Sequence, residues 1–150
     1  ADVAEFLTRK KADAWQGTLA DDQVLVTADT TVVVGDVLLN KPADADDARR
    51  MLALLSGRDH RVITGVCLRT SKVMKCFADE AVVHFKALSD TEIDYYVQRY
   101  SPLDKAGAYG VQDWIGYTAV ERIEGSFYTV MGLPMHRLYA ALISLPVPGK

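Results

Sequence analysis

Asp29 stands alone in the run Val24-Leu25-Val26-Thr27-Ala28-Asp29-Thr30-Thr31-Val32-Val33-Val34, which is otherwise apolar or β-branched. A carboxylate in such a strand is costly to bury unless something uses its charge. It reads either as a residue that caps a turn or pairs with an internal basic group, or as a metal ligand or general base on rigid scaffold. Lys41 follows the next apolar run and precedes Pro42, whose ring fixes the local backbone. Its compact charge suits a phosphate oxygen, although in isolation it reads first as a solvated surface lysine. Asp104-Lys105 opens a stretch containing Gly107, Gly110 and Gly116, a composition that lets backbone N–H groups approach an anion closely. The segment Gly107-Ala108-Tyr109-Gly110 matches neither a Walker A loop nor a dinucleotide fingerprint. Gln112 is a neutral donor and acceptor that suits a base edge and equally suits no ligand. Taken together, these residues point to a small anionic ligand with phosphate groups, without naming it.

The elements that must position them follow from periodicity and punctuation. Val3, Phe6 and Leu7 predict an amphipathic helix from Val3 to Trp15, with Lys10 and Lys11 following its apolar side. After a polar loop over 16–23, the run at 24–34 predicts a buried strand or strand pair, and Gly35-Asp36 a hairpin turn. Asp44, Asp46 and Asp47 supply cap and first-turn charge for a helix carrying Ala48, Met51, Leu52 and Leu55, with Gly57 at its C-terminal cap. Strands over 61–70 and 74–86 form a hairpin through Ser71-Lys72. Ser89-Asp90-Thr91-Glu92 is a capping-box pattern ahead of a helix with Ile93, Tyr96, Val97 and Tyr100, which Ser101-Pro102 stops. A glycine-rich loop over 104–116 leads to a short strand at 119–123. Gly132 and Pro134 then precede a closing helix with Leu138, Leu142 and Ile143. Strands interleave with helices throughout, so residues 1–150 read as one α/β or mixed α+β domain.

Composition narrows the function classes. The 150 residues are 49% hydrophobic and 25% charged, which excludes a disordered tail or a low-complexity linker. Seventeen Lys and Arg against 20 Asp and Glu give a net charge of −3, without the basic face that sequence-independent nucleic-acid binding needs. No apolar run approaches the ~20 residues of a membrane span, and Asp2 and Glu5 occupy the place of a signal peptide's basic region. Cys67 and Cys76 are too few for a disulfide framework or a four-ligand zinc site, and read as buried reduced thiols of a cytosolic protein rather than a bridge. His60, His84 and His136 share no ligand spacing and read as structural or surface residues, His60 as a turn residue. Tyr96 and Tyr100 read as helix-face packing.

A more specific signal comes from ordered blocks. They are Thr27-Ala28-Asp29-Thr30, Leu39-Asn40-Lys41-Pro42, Leu55-Ser56-Gly57-Arg58 with Thr64-Gly65-Val66, Asp104 to Gln112, Glu121 to Ser126, and Val130-Met131-Gly132-Leu133-Pro134. In this order they resemble the Maf family, the septum-formation-inhibitor-like nucleoside triphosphate pyrophosphatases. The resemblance implies an elongated α/β domain with a mixed sheet flanked by helices, similar to inosine triphosphate pyrophosphatases. It also implies a cytoplasmic enzyme that hydrolyses nucleoside triphosphates to monophosphate and pyrophosphate with Mg²⁺ or Mn²⁺, and a homodimer. Carried over residue by residue, Asp29 is the catalytic acid-base residue and the metal ligand. Lys11 (against its neighbour Lys10), Lys41, Asp104 and Lys105 bind substrate. Thr30 and Gln112 match specificity positions of the branch that prefers dTTP and UTP. The alternative reading is a nucleotide-binding regulator of cell division that acts by partner contact without turnover. The family's opening strand and its Ser-x-Ser-Pro-Arg-Arg segment have no match in this chain, which starts at Ala1 directly in a helical pattern. The expectation is a domain lacking its N-terminal strand-loop-helix, with further sequence upstream.

Overall fold

The computed structural model describes residues 2–145. In chain order they form α1 (Asp2–Ala14), β1 (Leu25–Val34), β2 (Val37–Leu39), α2 (Ala45–Leu55), β3 (Asp59–Arg69), β4 (Met74–Phe85) and α3 (Asp90–Tyr100). Two single-turn 3-10 helices follow at Pro102–Asp104 and Ala106–Ala108, then α4 (Trp114–Ala119), β5 (Val120–Glu124), α5 (Phe127–Met131) and α6 (Met135–Ile143). The sheet order is β2-β1-β3-β4-β5 and every pairing among the described residues is antiparallel. Two of the four pairings, β1-β2 and β3-β4, are hairpins whose short turns reverse the chain, while β1-β3 and β4-β5 are reached through the helical connections. The mixed sheet that the family resemblance implies is therefore antiparallel in these residues. No helix among them is long and apolar enough to cross a membrane.

The caps sit where the residue types place them. Asp44 accepts the Asp47 N–H at 2.8 Å and opens α2, whose Met51, Leu52 and Leu55 are buried. Ser89 and Glu92 make the reciprocal capping box of α3, with contacts of 3.1 and 3.0 Å. Gly57 follows α2 at φ +66°, a conformation that costs a side-chain-bearing residue and suits glycine. On one face of the sheet lies the main core: Val32, Val34, Val62, Ala81, Val83 and Phe85, packed against the apolar sides of α2 and α3. On the same face, towards the other end of β1, a smaller cluster joins Val66 and Leu68 to Leu138 and Ala141 of α6.

The opposite face carries α1, and here the expected packing is reversed. Ala4, Thr8 and Ala12 are the buried residues of α1, whereas Val3 and Phe6 are 45% and 64% exposed. Small side chains face the sheet because the helix comes so near it. A Cβ on Gly65 of β3 would stand 2.5 Å from the Ala4 carbonyl carbon and oxygen. Thr27 fastens the contact from β1, its hydroxyl donating to the Thr8 carbonyl at 2.9 Å.

Cys67 and Cys76 form a disulfide, correcting the expectation of reduced thiols. The register sets Cys67 of β3 directly opposite Cys76 of β4, with Cα atoms 4.1 Å apart, close enough for a bridge. His60 is likewise not a turn residue: it lies in β3 and is buried. Two helices were not expected. α4 and α5 are six and five residues long, too short to show a helical period.

The packing around Gly65 can be tested by adding one methyl group. Gly65→Ala is expected to displace α1 and lower unfolding stability by about 1–3 kcal/mol or more, the usual cost of overpacking. Urea unfolding measures it, and a midpoint equal to that of the unsubstituted chain would show that α1 does not rest on the sheet at this point.

Candidate functional site

One cleft of about 540 Å³ runs along the side of β1. β2 pairs only with Val32, Val33 and Val34, so the preceding part of that edge has no strand neighbour among the described residues. Because the cleft follows an edge rather than a face, five consecutive residues, Ala28 to Val32, line it. The far wall comes from the end of β2 and the loop after it, with Asn40 and Lys41, and from the glycine-rich loop with Asp104, Lys105, Gly110 and Gln112. α1 adds Leu7 and Lys11, and the end of α5 adds Val130, Met131 and Gly132.

Every residue singled out from the sequence faces this cleft: Asp29, Lys11, Lys41, Asp104, Lys105, Thr30 and Gln112. They come from four separated stretches of chain. Asp29 is half-buried in β1, and its Oδ2 lies 3.0 Å from Lys11 Nζ. Lys11 also donates to the Ala28 carbonyl at 3.2 Å, which draws it in against the strand edge. Lys11, not Lys10, is thus the lysine of the cleft. The Asp29 charge is met by a basic partner, one of the two readings open from the sequence. The other reading is not displaced, since that partner is half-exposed and stands in the same cleft.

Lys41 is exposed, and Lys105 Nζ lies 3.5 Å from Asp104 Oδ2. Both lysines line the same volume as Lys11, which makes a locally cationic wall on a net-acidic chain. The Lys105 side chain crosses Gly110, where a Cβ would meet its Cε at 2.7 Å. The loop is held from beneath by Tyr96 of α3. Its hydroxyl donates to Asp113 Oδ2 at 2.8 Å and accepts the Gly110 N–H at 3.0 Å. Burial pushes the Tyr96 phenol well above its usual range, so it stays a neutral two-way hydrogen-bonding group. Helical spacing marks Tyr96 as helix-face packing and carries no sign of these hydroxyl contacts.

Behind Tyr109, also a lining residue, His60 places Nε2 2.6 Å from the Tyr109 hydroxyl and edges against Phe85. Burial lowers the His60 pKa from 6.5 to about 4, Asp59 opposing and His84 adding to the shift, and its Nδ1 has no partner. The imidazole is neutral in the folded chain at neutral pH. The other two histidines are peripheral. His84 contacts Asp59 and Glu124, and His136 is exposed near Asp79.

The cleft's donor set bears on a divalent metal. It offers two carboxylates, Asp29 and Asp104, and no group of three or more His, Cys, Asp or Glu side chains able to cage an ion occurs among the described residues. That set fits a hard cation of the Mg²⁺ kind, held by few carboxylates and completed by water and phosphate oxygens.

Known proteins resemble this chain along most of its length. The family model of Maf-like proteins matches residues 1–145. A protein of Porphyromonas gingivalis named dTTP/UTP pyrophosphatase is 52% identical over 142 residues, which cover 93% of this chain and 71% of the relative. Relatives of the same name from Bacteroides thetaiotaomicron and Flavobacterium johnsoniae are 48% and 44% identical. Those alignments cover 97% and 96% of this chain, and 75% and 74% of the relatives.

The His60 environment carries a pH signature. Above about pH 6.5 the residue is neutral both folded and unfolded. As pH falls towards about 4, the unfolded chain takes up a proton that the folded chain refuses, so stability is lost through this window. The loss is expected to reach roughly 3 kcal/mol at the acid end. Chemical denaturation between pH 7 and pH 4 measures it, and a His60→Phe variant is expected to show a correspondingly flatter profile.

Proposed function

Because this chain belongs to the family of Maf-like proteins, we propose that its cleft hydrolyses nucleoside triphosphates, dTTP and UTP foremost, to monophosphate and pyrophosphate. The observation that carries the reading is the convergence of one strand carboxylate and three lysines on a single cleft that also holds Thr30 and Gln112. A role limited to binding without turnover finds no comparable support, since the relatives are named as pyrophosphatases.

In this reading the triphosphate lies along the lysine wall. Lys11, Lys41 and Lys105 offset its charge, and Asp104 keeps Lys105 turned to the cleft. Asp29 orients a water molecule and accepts its proton as the water oxygen attacks the α-phosphorus. The bond from that phosphorus to the oxygen bridging the β-phosphate breaks, and pyrophosphate departs. Positioning and charge neutralisation account for most of such a reaction, because the transferred phosphoryl group asks for little covalent work. Lys11 has a double part: it holds the Asp29 carboxylate in place before substrate arrives, then shares its charge with the phosphates. Asp29 would hold a divalent ion, Mg²⁺ or Mn²⁺. When bound, such an ion neutralises phosphate charge and acidifies a coordinated water.

The first test is pyrophosphate release from a panel of nucleoside triphosphates with Mg²⁺ present. dTTP and UTP are expected to exceed ATP and GTP in kcat/KM, and Asp29→Asn is expected to lower kcat by roughly 10²–10⁴-fold with the fold unchanged. A purine preference, or near-normal kcat in the Asn variant, would overturn the assignment.

A second test concerns the Ser-Pro-Arg-Arg motif, absent from this sequence. Arginine grips phosphate with a planar fork that lysine does not reproduce, and the uncovered edge of β1 could accept a further strand beside the cleft. Extending the chain upstream of Ala1 with a segment carrying that motif is expected to raise kcat/KM by at least about tenfold. Equal kcat/KM for the two chains would show that the phosphates are held by residues 1–150 alone.

A further inference from the structure

Between the two apolar clusters, a row of polar residues crosses the sheet on the face opposite α1. The register sets Thr30 of β1 beside Thr64 of β3, and Thr64 beside Asp79 of β4. Thr64 and Thr129 are fully buried at 0% exposure. Thr64 Oγ1 lies 2.8 Å from Thr30 Oγ1 and 2.9 Å from the Thr129 carbonyl oxygen. The Thr129 hydroxyl in turn donates to Asp79 Oδ2 at 2.6 Å.

Counting hydrogens fixes the direction of this chain of contacts. A threonine hydroxyl carries one hydrogen, and a carbonyl oxygen carries none. The 2.9 Å contact to the Thr129 carbonyl can therefore be closed only by the Thr64 hydrogen. That leaves Thr64 nothing to donate to Thr30, so the 2.8 Å contact is closed by the hydrogen of Thr30. With its hydrogen turned inward, Thr30 offers only lone pairs to the cleft it lines. The neighbouring wall adds no side chain over that oxygen at residue 132, a glycine whose Cβ would lie 3.5 Å from Thr30 Oγ1.

We propose that Thr64, which does not line the cleft, is a positioning residue that sets the polarity of Thr30. This point of the cleft thereby accepts a hydrogen bond and selects a base edge with an imide N–H over one with a bare ring nitrogen. Uracil and thymine carry that N–H at N3, and cytosine carries a lone pair there. An acceptor facing an acceptor leaves both unpaired in a partly dry site, which is how a polar pocket rejects a near-isosteric ligand. The inference rests on the reading of the cleft as a nucleotide site, and it adds the group that decides which pyrimidine fits.

Thr64→Val keeps the shape of the side chain and removes the inward acceptor, which frees the Thr30 hydroxyl to turn its hydrogen to the cleft. The measurements are kcat/KM for UTP and CTP, and calorimetric affinity for UMP and CMP, in the unsubstituted chain, Thr64→Val and Thr64→Ser. The unsubstituted chain is expected to prefer the uracil ligands. Thr64→Val is expected to reduce both ratios by at least about tenfold, and Thr64→Ser, which restores the hydroxyl, to return them. A general structural defect would weaken both ligands alike and leave the ratios in place. Unchanged ratios in a folded Thr64→Val, or a Thr64→Ser that behaves as the valine variant does, would overturn the proposal while the nucleotide reading stands. If Thr64→Val does not fold, Thr64→Ala takes its place: collapse of the ratios supports the proposal and their persistence overturns it. An unsubstituted chain that neither binds nor turns over any of the four ligands would overturn the nucleotide reading itself, and the proposal with it.

Discussion

Gly65 has a hydrogen where any other residue would put a carbon, and through that gap α1 settles against the sheet with its backbone almost touching β3. The close approach decides which residues of α1 turn inward, because only Ala4, Thr8 and Ala12 are small enough for the space. It also decides where Lys11 ends up. A helix standing one side chain further out would carry that ammonium beyond reach of Asp29, and the strand carboxylate would lose its partner. The electrostatics of the cleft thus depend on a steric fact several residues away on another strand. Charge is placed by packing here, and the ion pair records that placement.

Much of the scaffold was legible in the sequence, because its determinants are local. The caps at Asp44 and Ser89, the turn at Gly35 and the hairpin turn at Ser71-Lys72 act within a few residues of themselves. Structure departed from expectation where the deciding contact lies far along the chain. The apolar trio Val3, Phe6 and Leu7 marks a plausible buried side for α1, and the proximity that reverses it exists only once β3 is in place. The disulfide is a different case, since its signal was present. A hairpin centred on Ser71-Lys72 necessarily sets position 67 opposite position 76, and the observed register is the one that turn dictates. Counting outward from the turn would have put the two sulfurs face to face.

The site divides along the same line. Asp29 was conspicuous by itself, as a charge among β-branched neighbours. Lys41, Lys105 and Gln112 were each ordinary alone, Lys11 joined them only through the family resemblance, and the fold shows all four around one volume. Thr64 and Thr129 were illegible because a threonine in a strand or a short helix needs no explanation beyond propensity. Their part emerges from burial and from the shortage of hydrogens, neither of which sequence spacing can express. Tyr96 passed as packing for a related reason, since its ring does pack and only its hydroxyl holds the loop.

The polar row through Thr30, Thr64 and Asp79 does more than orient a hydroxyl. It interrupts the apolar interior, so that the cluster under α2 and α3 and the cluster under α6 are separate bodies of buried surface joined by hydrogen bonds. Hydrogen bonds exchange with water at little net cost, whereas buried apolar area does not. The seam is therefore a natural boundary for partial unfolding. The α6 end, with its few buried residues, can open as a unit while the larger cluster stays closed. β3 itself stays closed on both sides of Thr64, since the Cys67–Cys76 disulfide ties its far end to β4. The amides of α6 are therefore the ones expected to exchange through the smaller and more frequent opening, and those around Val62 and Val83 to be among the slowest.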